Sequence, residues 1–345
     1  MVGENPNRFF QSLEKVLLDS VMYRKQLHGI FLEFYIARGR TILRYIMAEE
    51  GYRETVVQGK KVQWDPEQLR KIQEHPCFSE KACHGFGRCH VPVAPKCNIQ
   101  CNYCIRDFDC VNESRPGVTT KVLDSGEAID LVKKVVEKYN YIKVVGIAGP
   151  GEPLANEETF ETLRKLHDEF PNVIKCISTN GLLLPEKIDL LQKYDVGNVT
   201  VTLNAIDPVI GAKIYQFIEW KGKRYTGIEG AKILLENQLK GIEEAVKRKM
   251  IVKVNTVYIP GINDTHIVDI AKKVGEMGVY NFNVIPLIAQ YKFADIAPPT
   301  PEMKKKMQDS CAPYVRQMRH CQRCRADAIG KLGHDVQSCV YSEQK

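Results

Sequence analysis

Three cysteines stand within eight residues in the stretch CNIQCNYC, at positions 97–104. Cys97, Cys101 and Cys104 are separated first by three residues and then by two. Thiolates are soft ligands that select zinc, copper(I) or iron–sulfur clusters. Structural zinc needs a fourth ligand, for which Cys110 is available, but it usually has paired C-x2-C halves. The spacing also differs from the C-x2-C-x2-C of ferredoxins. It favours a [4Fe–4S] cluster held at three irons, whose fourth iron is open to another ligand.

The cysteine content and the overall composition indicate metal or redox chemistry. The chain has 345 residues and 12 cysteines, with 44% hydrophobic and 26% charged residues. A chain of this length buries a full core without disulfides, and seven of its cysteines cluster between positions 77 and 110. The formal net charge is +7, but acidic and basic residues alternate along the chain, so no nucleic-acid partner is predicted.

The sequence predicts a cytoplasmic location without membrane contact. No run approaches the eighteen apolar residues that a membrane-spanning helix needs. The first twenty residues carry acidic side chains among their apolar positions and lack the small-residue cleavage site of a secretory signal. Thiols stay reduced in the cytoplasm, which agrees with cysteines that bind metal rather than form disulfides.

Six short apolar segments, separated by amphipathic helices, must position the cysteine loop. The predicted strands cover 91–94, 142–148, 173–178, 198–203, 251–258 and 282–287. The predicted helices cover 126–139, 157–169, 185–193, 208–218, 227–249 and 265–277. Alternating strands and helices form a parallel sheet with right-handed crossovers, and six units fall short of a closed eight-stranded barrel. The predicted fold class is therefore α/β, a partial (β/α)6 TIM-like barrel that is open on one side. The cysteine loop follows the first strand and is expected at the mouth of this barrel.

Residues 1–74 have a different pattern and are predicted to form an N-terminal helical extension. The first helix has one apolar face, made of Phe10, Leu13, Leu17 and Val21. A second helix is predicted from about 31 to 46. TVVQGKKVQW at 55–64 predicts a hairpin, and Asp65–Pro66 predicts the start of a short helix that ends near 74. The domain prediction is thus an extension over 1–74, a barrel with a cysteine-rich lead-in over 75–300, and a C-terminal helix and CxxC tail over 301–345.

The cysteine spacing after a first barrel strand resembles the radical S-adenosylmethionine (SAM) superfamily. In that superfamily SAM chelates the open iron, and electron transfer from the reduced cluster cleaves SAM to a 5′-deoxyadenosyl radical. AGPGEPLAN at 148–156 resembles the GGEP loop of the superfamily, with Pro150 in place of its first glycine. STNG at 178–181 closes the third predicted strand, where relatives contact SAM. The resemblance implies a SAM-binding site made of Tyr103, Gly151, Glu152, Ser178, Asn180 and Asn204.

A longer run resembles one family within this superfamily more closely. HPCFSEKACHGFGRCHVPVAPKCNIQCNYCIRDFDCVNESRPGV at 75–118 is similar to the NifB family, the radical SAM maturases of the nitrogenase iron–molybdenum cofactor. STNGLLLPE at 178–186 and CQRCRADAIGKLG at 321–333 fit the same family. This resemblance implies that two further [4Fe–4S] clusters are fused with one sulfide into an eight-iron precursor. Its central carbide would come from the methyl group of one SAM, and a second SAM would supply the radical that abstracts hydrogen from that carbon.

The resemblance also implies a ligand for each cluster. Cys97, Cys101 and Cys104 would hold the radical cluster. His90, Cys110 and Cys176 would hold one substrate cluster, and Cys77, Cys321 and Cys324 would hold the other. Simpler interpretations remain open, because Cys176 lies on an apolar strand and would also suit a core, and His90 would also suit an ordinary hydrogen bond. The CQRC pair would also suit a redox site or half of a zinc site.

Other residues near the motif are assigned more loosely. Glu113 and Arg115, in NESRPG, are candidates for proton transfer in catalysis, with a capping ion pair as the alternative. Cys83 and Cys89 are either alternative ligands or plain thiols. Cys311 and Cys339 have no predicted role.

The resemblance implies several partners besides SAM and iron–sulfur clusters. These are cluster-donating proteins, carrier or scaffold proteins of nitrogenase assembly, and a reductant protein such as ferredoxin or flavodoxin. The small cofactor-binding domain of many bacterial relatives is not found in the sequence, so the product would pass to a separate carrier.

Two other functions remain as alternatives. A radical SAM enzyme with one auxiliary cluster, such as the GTP cyclase of molybdopterin synthesis, leaves Cys77, His90, Cys110 and Cys176 unexplained as a set. A non-catalytic iron–sulfur or zinc module leaves the PGEP and STNG loops unexplained.

Overall fold

The structure is a computed structural model that describes residues 23–27, 30–37, 40–47, 54–57, 60–107, 109–112, 119 and 121–336. Side chains are described from Trp64 onward. The chain divides into two compact units, Met1–Gln63 and Trp64–Lys345. No helix among the described residues is both long and apolar enough to cross a membrane.

The first unit contains antiparallel strands where a helix was predicted. Its strands are β1 Tyr23–Leu27, β2 Ile30–Ala37, β3 Arg40–Met47, β4 Glu54–Val57 and β5 Lys60–Gln63. The predicted helix over 31–46 is wrong, because β2 and β3 pair here with Ala37 opposite Arg40. The segment is rich in isoleucine, phenylalanine and tyrosine, which favour strands, and Gly39 interrupts it. The predicted hairpin at 55–64 is confirmed as β4 and β5. The predicted helix that includes Phe10, Leu13, Leu17 and Val21 lies outside the described residues.

The second unit contains the barrel. Its helices are α1 Pro66–Gln73, α2 Ala82–Gly85, α3 Ser125–Lys138, α4 Glu157–Glu169, α5 Leu184–Lys193, α6 Pro208–Ile214, α7 Gly227–Lys247, α8 Ile267–Glu276 and α9 Pro301–Cys311. Its strands are β6 Gly87–His90, β7 Ile99–Cys101, β8 Ile142–Ile147, β9 Ile174–Thr179, β10 Val196–Thr202, β11 Tyr215–Trp220, β12 Lys223–Tyr225, β13 Ile251–Tyr258, β14 Asn281–Pro286, β15 Ile329–Lys331 and β16 His334–Asp335. The predicted short helix after Asp65 is confirmed as α1, where Asp65 and Gln68 form a reciprocal capping box.

Six parallel strands form the main sheet in the order of the sequence. The strand order is β14-β13-β10-β9-β8-β6-β15-β16, in which β15 and β16 add antiparallel beside β6. Strands β14 and β16 lie at opposite ends of the sheet, so it does not close. This confirms the partial (β/α)6 barrel. Five of the six predicted parallel strands are confirmed to within two residues at each end.

The first parallel strand lies earlier than predicted. It is β6 at Gly87–His90 rather than 91–94. Pro92 and Pro95 have no backbone N–H, so the lead-in to the cysteine loop cannot continue the ladder. Beyond β6, Ala94 makes one isolated bridge, to Pro150.

The predicted helix over 208–218 is also shorter than expected. Helix α6 ends at Ile214, and the chain continues as β11, which pairs antiparallel with β7 inside the cysteine motif. Tyr215 lies opposite Cys101, and Ile218 lies opposite Ile99. The run YQFIEW is aromatic and β-branched, which favours this strand. The cysteine loop is therefore fixed on a small sheet of its own, β12-β11-β7.

Two cysteines that had no firm assignment belong to the core. Cys89 and Cys311 are fully buried in the main hydrophobic cluster. Cys89 lies between Arg88 and His90 on β6, so its side chain points to the other face of the strand from those of Arg88 and His90. Cys83 is buried as well, and its thiol donates to the carbonyl oxygen of Glu80, with 2.9 Å between the atoms. Cys339 lies outside the described residues.

Candidate functional site

The three cysteines of the motif line a cavity at the mouth of the barrel. The cavity has a volume of about 240 Å³, and Cys97, Cys101 and Cys104 contribute to its wall. The Gln100 side chain braces the loop, since its amide donates to the carbonyl oxygens of Cys101 (3.0 Å) and Cys104 (2.8 Å). The thiols are thus presented from one short, internally hydrogen-bonded turn.

The loop that contains Gly151 packs directly against the lead-in to the cysteines. The Gly151 N–H donates to the Ala94 carbonyl oxygen over 2.5 Å, and the Glu152 N–H donates to that of Lys96 over 2.8 Å. A Cβ atom on residue 151 would lie only 2.4 Å from the Lys96 oxygen. Only glycine allows this approach of the two backbones.

Glu152 joins this loop to the STNG segment. Its carboxylate is buried and accepts hydrogen bonds from the Leu154 N–H (3.0 Å), the Thr179 hydroxyl (2.5 Å) and the Asn180 N–H (2.6 Å). A carboxylate that accepts several such bonds positions the loops around it. Glu152, Ser178 and Asn180 all line the first cavity, as does Gly151.

Tyr103 and Asn204, which the resemblance assigns to the SAM site, are buried behind the wall of the first cavity. Both side chains are fully buried, and neither is among the residues that line the first cavity. The Tyr103 hydroxyl donates to Asn112 Oδ1 (2.7 Å) and accepts from Asn204 Nδ2 (2.6 Å). Asn112 does line the cavity, so Tyr103 and Asn204 support its wall.

Arg106, which the sequence reasoning missed, lies beside the thiols. It lines the first cavity together with Cys97, and its Nε donates to Gln100 Oε1 over 2.8 Å. Burial raises the pKa of the Cys97 thiol, and the nearby Arg106 charge opposes that rise. Burial also raises the pKa of Cys104, to about 11. A cation two residues after the last cysteine was the available signal in the sequence.

This set of residues fits a resident [4Fe–4S] cluster. Buried thiols keep their protons at neutral pH and release them when a metal charge takes the place of the proton. A guanidinium beside the sulfur atoms then offsets part of the negative charge that the thiolates bring. Among the described residues, no three His, Cys, Asp or Glu side chains lie close enough to hold a single metal ion.

A second cavity adjoins the first and is rich in potential iron ligands. Its volume is about 50 Å³, and it shares Ala148 and Ser178 with the first cavity. The potential ligands in its wall are His75, Cys77, His90, Cys176, Cys321 and Cys324. Burial raises the pKa of the Cys77 thiol, and the thiols of Cys324, Cys176 and Cys321 lie close enough to add to this effect.

Cys110 is the one predicted substrate ligand that does not line the second cavity. It lines the first cavity with the three motif cysteines, and its backbone N–H donates to the Pro150 carbonyl oxygen over 2.9 Å. The structure thus brings His90 and Cys176 together and places Cys110 on the other side of Ala148 and Ser178. Glu113 and Arg115 lie outside the described residues.

His90 is oriented as a metal ligand would be. Its Nδ1 lies 3.0 Å from the carbonyl oxygen of Arg325, which can only accept, so Nδ1 bears the proton. Burial lowers the pKa of His90 to about 4, which keeps the imidazole neutral at pH 7 and leaves the Nε2 lone pair available. The sheet register pairs His90 with Gly146, and Gly146 with Cys176. A Cβ atom on residue 146 would lie 2.9 Å from His90 Cδ2 and 3.3 Å from Nε2.

The space that Gly146 leaves for the imidazole gives a direct prediction. Gly146→Ala should lower the free energy of unfolding of the apo-protein by about 1–3 kcal/mol, because the added methyl overlaps the His90 ring. In a His90→Ala background the same substitution should leave the free energy of unfolding almost unchanged, because the imidazole ring that it would overlap is absent. Chemical denaturation of the four variants of this double-mutant cycle measures the coupling. Equal costs in both backgrounds would show that His90 does not occupy this space.

Comparisons with known proteins show the family of the chain. Residues 91–274, just over half of the chain, match the Radical SAM superfamily. The chain is 48% identical over 278 residues to the FeMo cofactor biosynthesis protein NifB of Azotobacter vinelandii, covering 78% of this chain and 55% of that relative. It is 50% identical over 261 residues to the protein of the same name from Methanocaldococcus jannaschii, covering 75% of this chain and 86% of that relative.

A solved structure is similar over most of the chain. It is a radical SAM methyltransferase from Sphaerobacter thermophilus, with a TM-score of 0.46 and 16% identity over 91% of this chain and 81% of that chain. The chain spans just over half the length of several curated relatives that it matches, and most of the Methanocaldococcus one.

Proposed function

Because the chain belongs to the radical SAM superfamily and to the NifB family of FeMo cofactor biosynthesis proteins, we propose that it assembles the eight-iron precursor of the nitrogenase cofactor. Two [4Fe–4S] clusters are its substrates, and they are fused with one sulfide and with a carbide derived from SAM. The observation that carries the proposal is the pair of adjoining cavities. One is lined by the three motif cysteines, and the other by four further cysteines and His90.

The first cavity is the proposed site of the resident cofactors. Cys97, Cys101 and Cys104 would hold the radical cluster, which with SAM supplies a methyl group and a 5′-deoxyadenosyl radical. Arg106 offsets thiolate charge at Cys97, and the Gly151 loop closes one wall without side-chain bulk. Glu152 keeps that wall fixed to the STNG segment through two hydrogen bonds, from Thr179 and Asn180. A fixed, largely buried wall excludes water, which a reactive radical requires.

The second cavity is the proposed site of the substrates. Cys77, Cys321 and Cys324 would hold one cluster. His90 and Cys176 would hold the other together with Cys110, which would have to extend to it from the first cavity. The neutral imidazole of His90 is a weaker ligand than a thiolate, which suits a cluster that must later be released or fused.

Proton transfer and the protein partners complete the proposal. Glu113 is the next residue after Asn112, which lines the first cavity, and Arg115 is the third, so we assign them the proton-transfer steps. Cluster-donating proteins, a carrier or scaffold protein and a reductant such as ferredoxin or flavodoxin would supply the substrates and electrons and accept the product.

Anaerobic reconstitution with iron and sulfide, followed by product analysis, tests the function. The protein should bind about twelve irons per chain, as three [4Fe–4S] clusters. With SAM and a reductant it should form both 5′-deoxyadenosine and S-adenosylhomocysteine. Deoxyadenosine without S-adenosylhomocysteine would exclude methyl transfer. About eight irons per chain would favour an enzyme with one auxiliary cluster. Iron binding without SAM cleavage would favour a non-catalytic module.

A further inference from the structure

A lysine projects into the second cavity from the middle of a buried strand. Lys253 lies on β13, is only 5% exposed, and lines the cavity together with Cys77, Cys321 and Cys324. Its neighbours in the sheet register are Thr200 on β10 and Asn281 on β14. This position places an ammonium group in the same cavity wall as these three thiols.

The cavity wall has the composition of an anion site. Besides Lys253, its described lining residues are apolar residues, thiols, histidines, hydroxyls and amides, and none of them is Asp or Glu. The Lys253 ammonium lies 5.9 Å from the ring centre of Phe78, one residue after Cys77, so it is next to the HPC segment.

The same wall contains an imidazole N–H donor that has no hydrogen-bond partner among the described residues. The Cys77 backbone N–H donates to His75 Nδ1 over 3.1 Å, so the neutral imidazole has its proton on Nε2. His75 is 2% exposed, and its Nε2 has no hydrogen-bond partner among the described residues. A buried donor without an acceptor is costly, and an acceptor bound in the cavity would remove that cost.

These observations identify what the cavity is built to receive. We propose that Lys253 is the counter-charge for the substrate cluster held by Cys77, Cys321 and Cys324, and that His75 donates a hydrogen bond to the same cluster. This inference rests on the proposed function. A [4Fe–4S] cluster with three thiolate ligands is an anion, and reduction makes it more negative. A fixed ammonium therefore stabilises the bound cluster and stabilises its reduced form most, as charges and hydrogen bonds near cluster sulfur atoms do in general.

The test replaces Lys253 and measures the cluster rather than turnover. In full-length protein with Cys97, Cys101 and Cys104 changed to alanine, only the substrate clusters contribute to the electron paramagnetic resonance spectrum. The component lost on changing Cys321 and Cys324 to alanine belongs to the cluster in question. In Lys253→Met, the ratio of reduced to oxidised cluster at a fixed potential should fall about tenfold, which is a shift of about 59 mV for a one-electron couple. Lys253→Arg should keep the ratio within about twofold of the parent.

Lys175 provides a matched control. It is fully buried on β9, directly before Cys176, but it pairs with Asp195, with 3.7 Å between Nζ and Oδ2, and does not line the cavity. Lys175→Met should therefore leave the potential unchanged, although it also removes a buried lysine from the sheet. If Lys253→Met does not fold, Lys253→Gln keeps a polar end in the cavity and tests the same loss of charge.

The outcomes separate this inference from the proposed function. If changing Cys321 and Cys324 to alanine removes no iron, the cluster assignment fails, and the proposed function fails with it. If iron is lost as expected but the potential is the same in the parent, Lys253→Met and Lys253→Gln, only the role of Lys253 is overturned. A shift in Lys253→Met and none in Lys175→Met supports it.

Discussion

Replacing Cys321 and Cys324 with alanine is expected to remove about four irons per chain and to leave SAM cleavage intact. Both thiols line the second cavity and neither lines the first, so their loss removes ligands of one substrate cluster only. The segment that contains them is anchored independently, because Arg88 donates to the carbonyl oxygens of Gly330 (2.5 Å) and Lys331 (3.1 Å). The C-terminal hairpin should therefore remain on β6 in the variant.

Two core cysteines provide the control for this experiment. Cys89 and Cys311 are fully buried among apolar residues, so Cys89→Ala and Cys311→Ala remove a thiol without removing a ligand. Both controls should retain the iron content of the parent protein. Iron quantitation and deoxyadenosine formation are measured on all variants under the same anaerobic conditions. If the Cys321 and Cys324 variant loses SAM cleavage, these cysteines serve the radical cluster, and the grouping of ligands is wrong.

The barrel was predictable because each parallel strand is short, apolar and followed by an amphipathic helix. Helix α3 is typical, since the buried Ala128, Leu131, Val132 and Val135 recur at the helical period and face the sheet. The helix prediction over 31–46 failed because the amino-acid composition there favours a strand and the periodicity favours a helix. The segment over 31–46 satisfies a helical period but has strand-forming residues, and periodicity alone cannot decide between the two. The first parallel strand was predicted in the apolar run after His90. Prolines in that run prevent it from hydrogen bonding as a strand, and the strand β6 ends at His90 instead.

The ligands of the candidate site were predicted from motifs, but the charged residues around them were not. Cysteine ligands can be recognised in a sequence by their characteristic spacing. In the sequence, Arg106 and Lys253 look like any other basic residues. Their roles depend on which cavity they line in the folded protein. Lys175 and Lys253 show this, because both are buried strand lysines, yet only Lys253 faces the second cavity. The match between Gly146 and His90 likewise exists only through the register of β6 and β8.

Gly151→Ala is expected to reduce deoxyadenosine formation by about a hundredfold or more. The added Cβ would lie 2.4 Å from the Lys96 carbonyl oxygen and 2.8 Å from that of Pro95, and these are backbone atoms that cannot rotate away. The two segments would have to separate, which breaks the hydrogen bond from Gly151 to Ala94. Cys97 follows Lys96 directly, so the separation displaces a ligand of the radical cluster together with a wall of the SAM site.

Gly85→Ala is the matched substitution for this prediction, because nothing lies within 4 Å of a Cβ atom built on residue 85. It should retain parental activity, since α2 gains only a methyl group in open space. Single-turnover formation of deoxyadenosine is the measurement, and thermal unfolding of both apo-proteins shows whether each variant is folded. A folded Gly151→Ala protein with parental activity would mean that the backbone contact between 151 and 96 is not needed for SAM cleavage. The Gly151 loop would then serve the stability of the barrel mouth rather than the position of the cofactor.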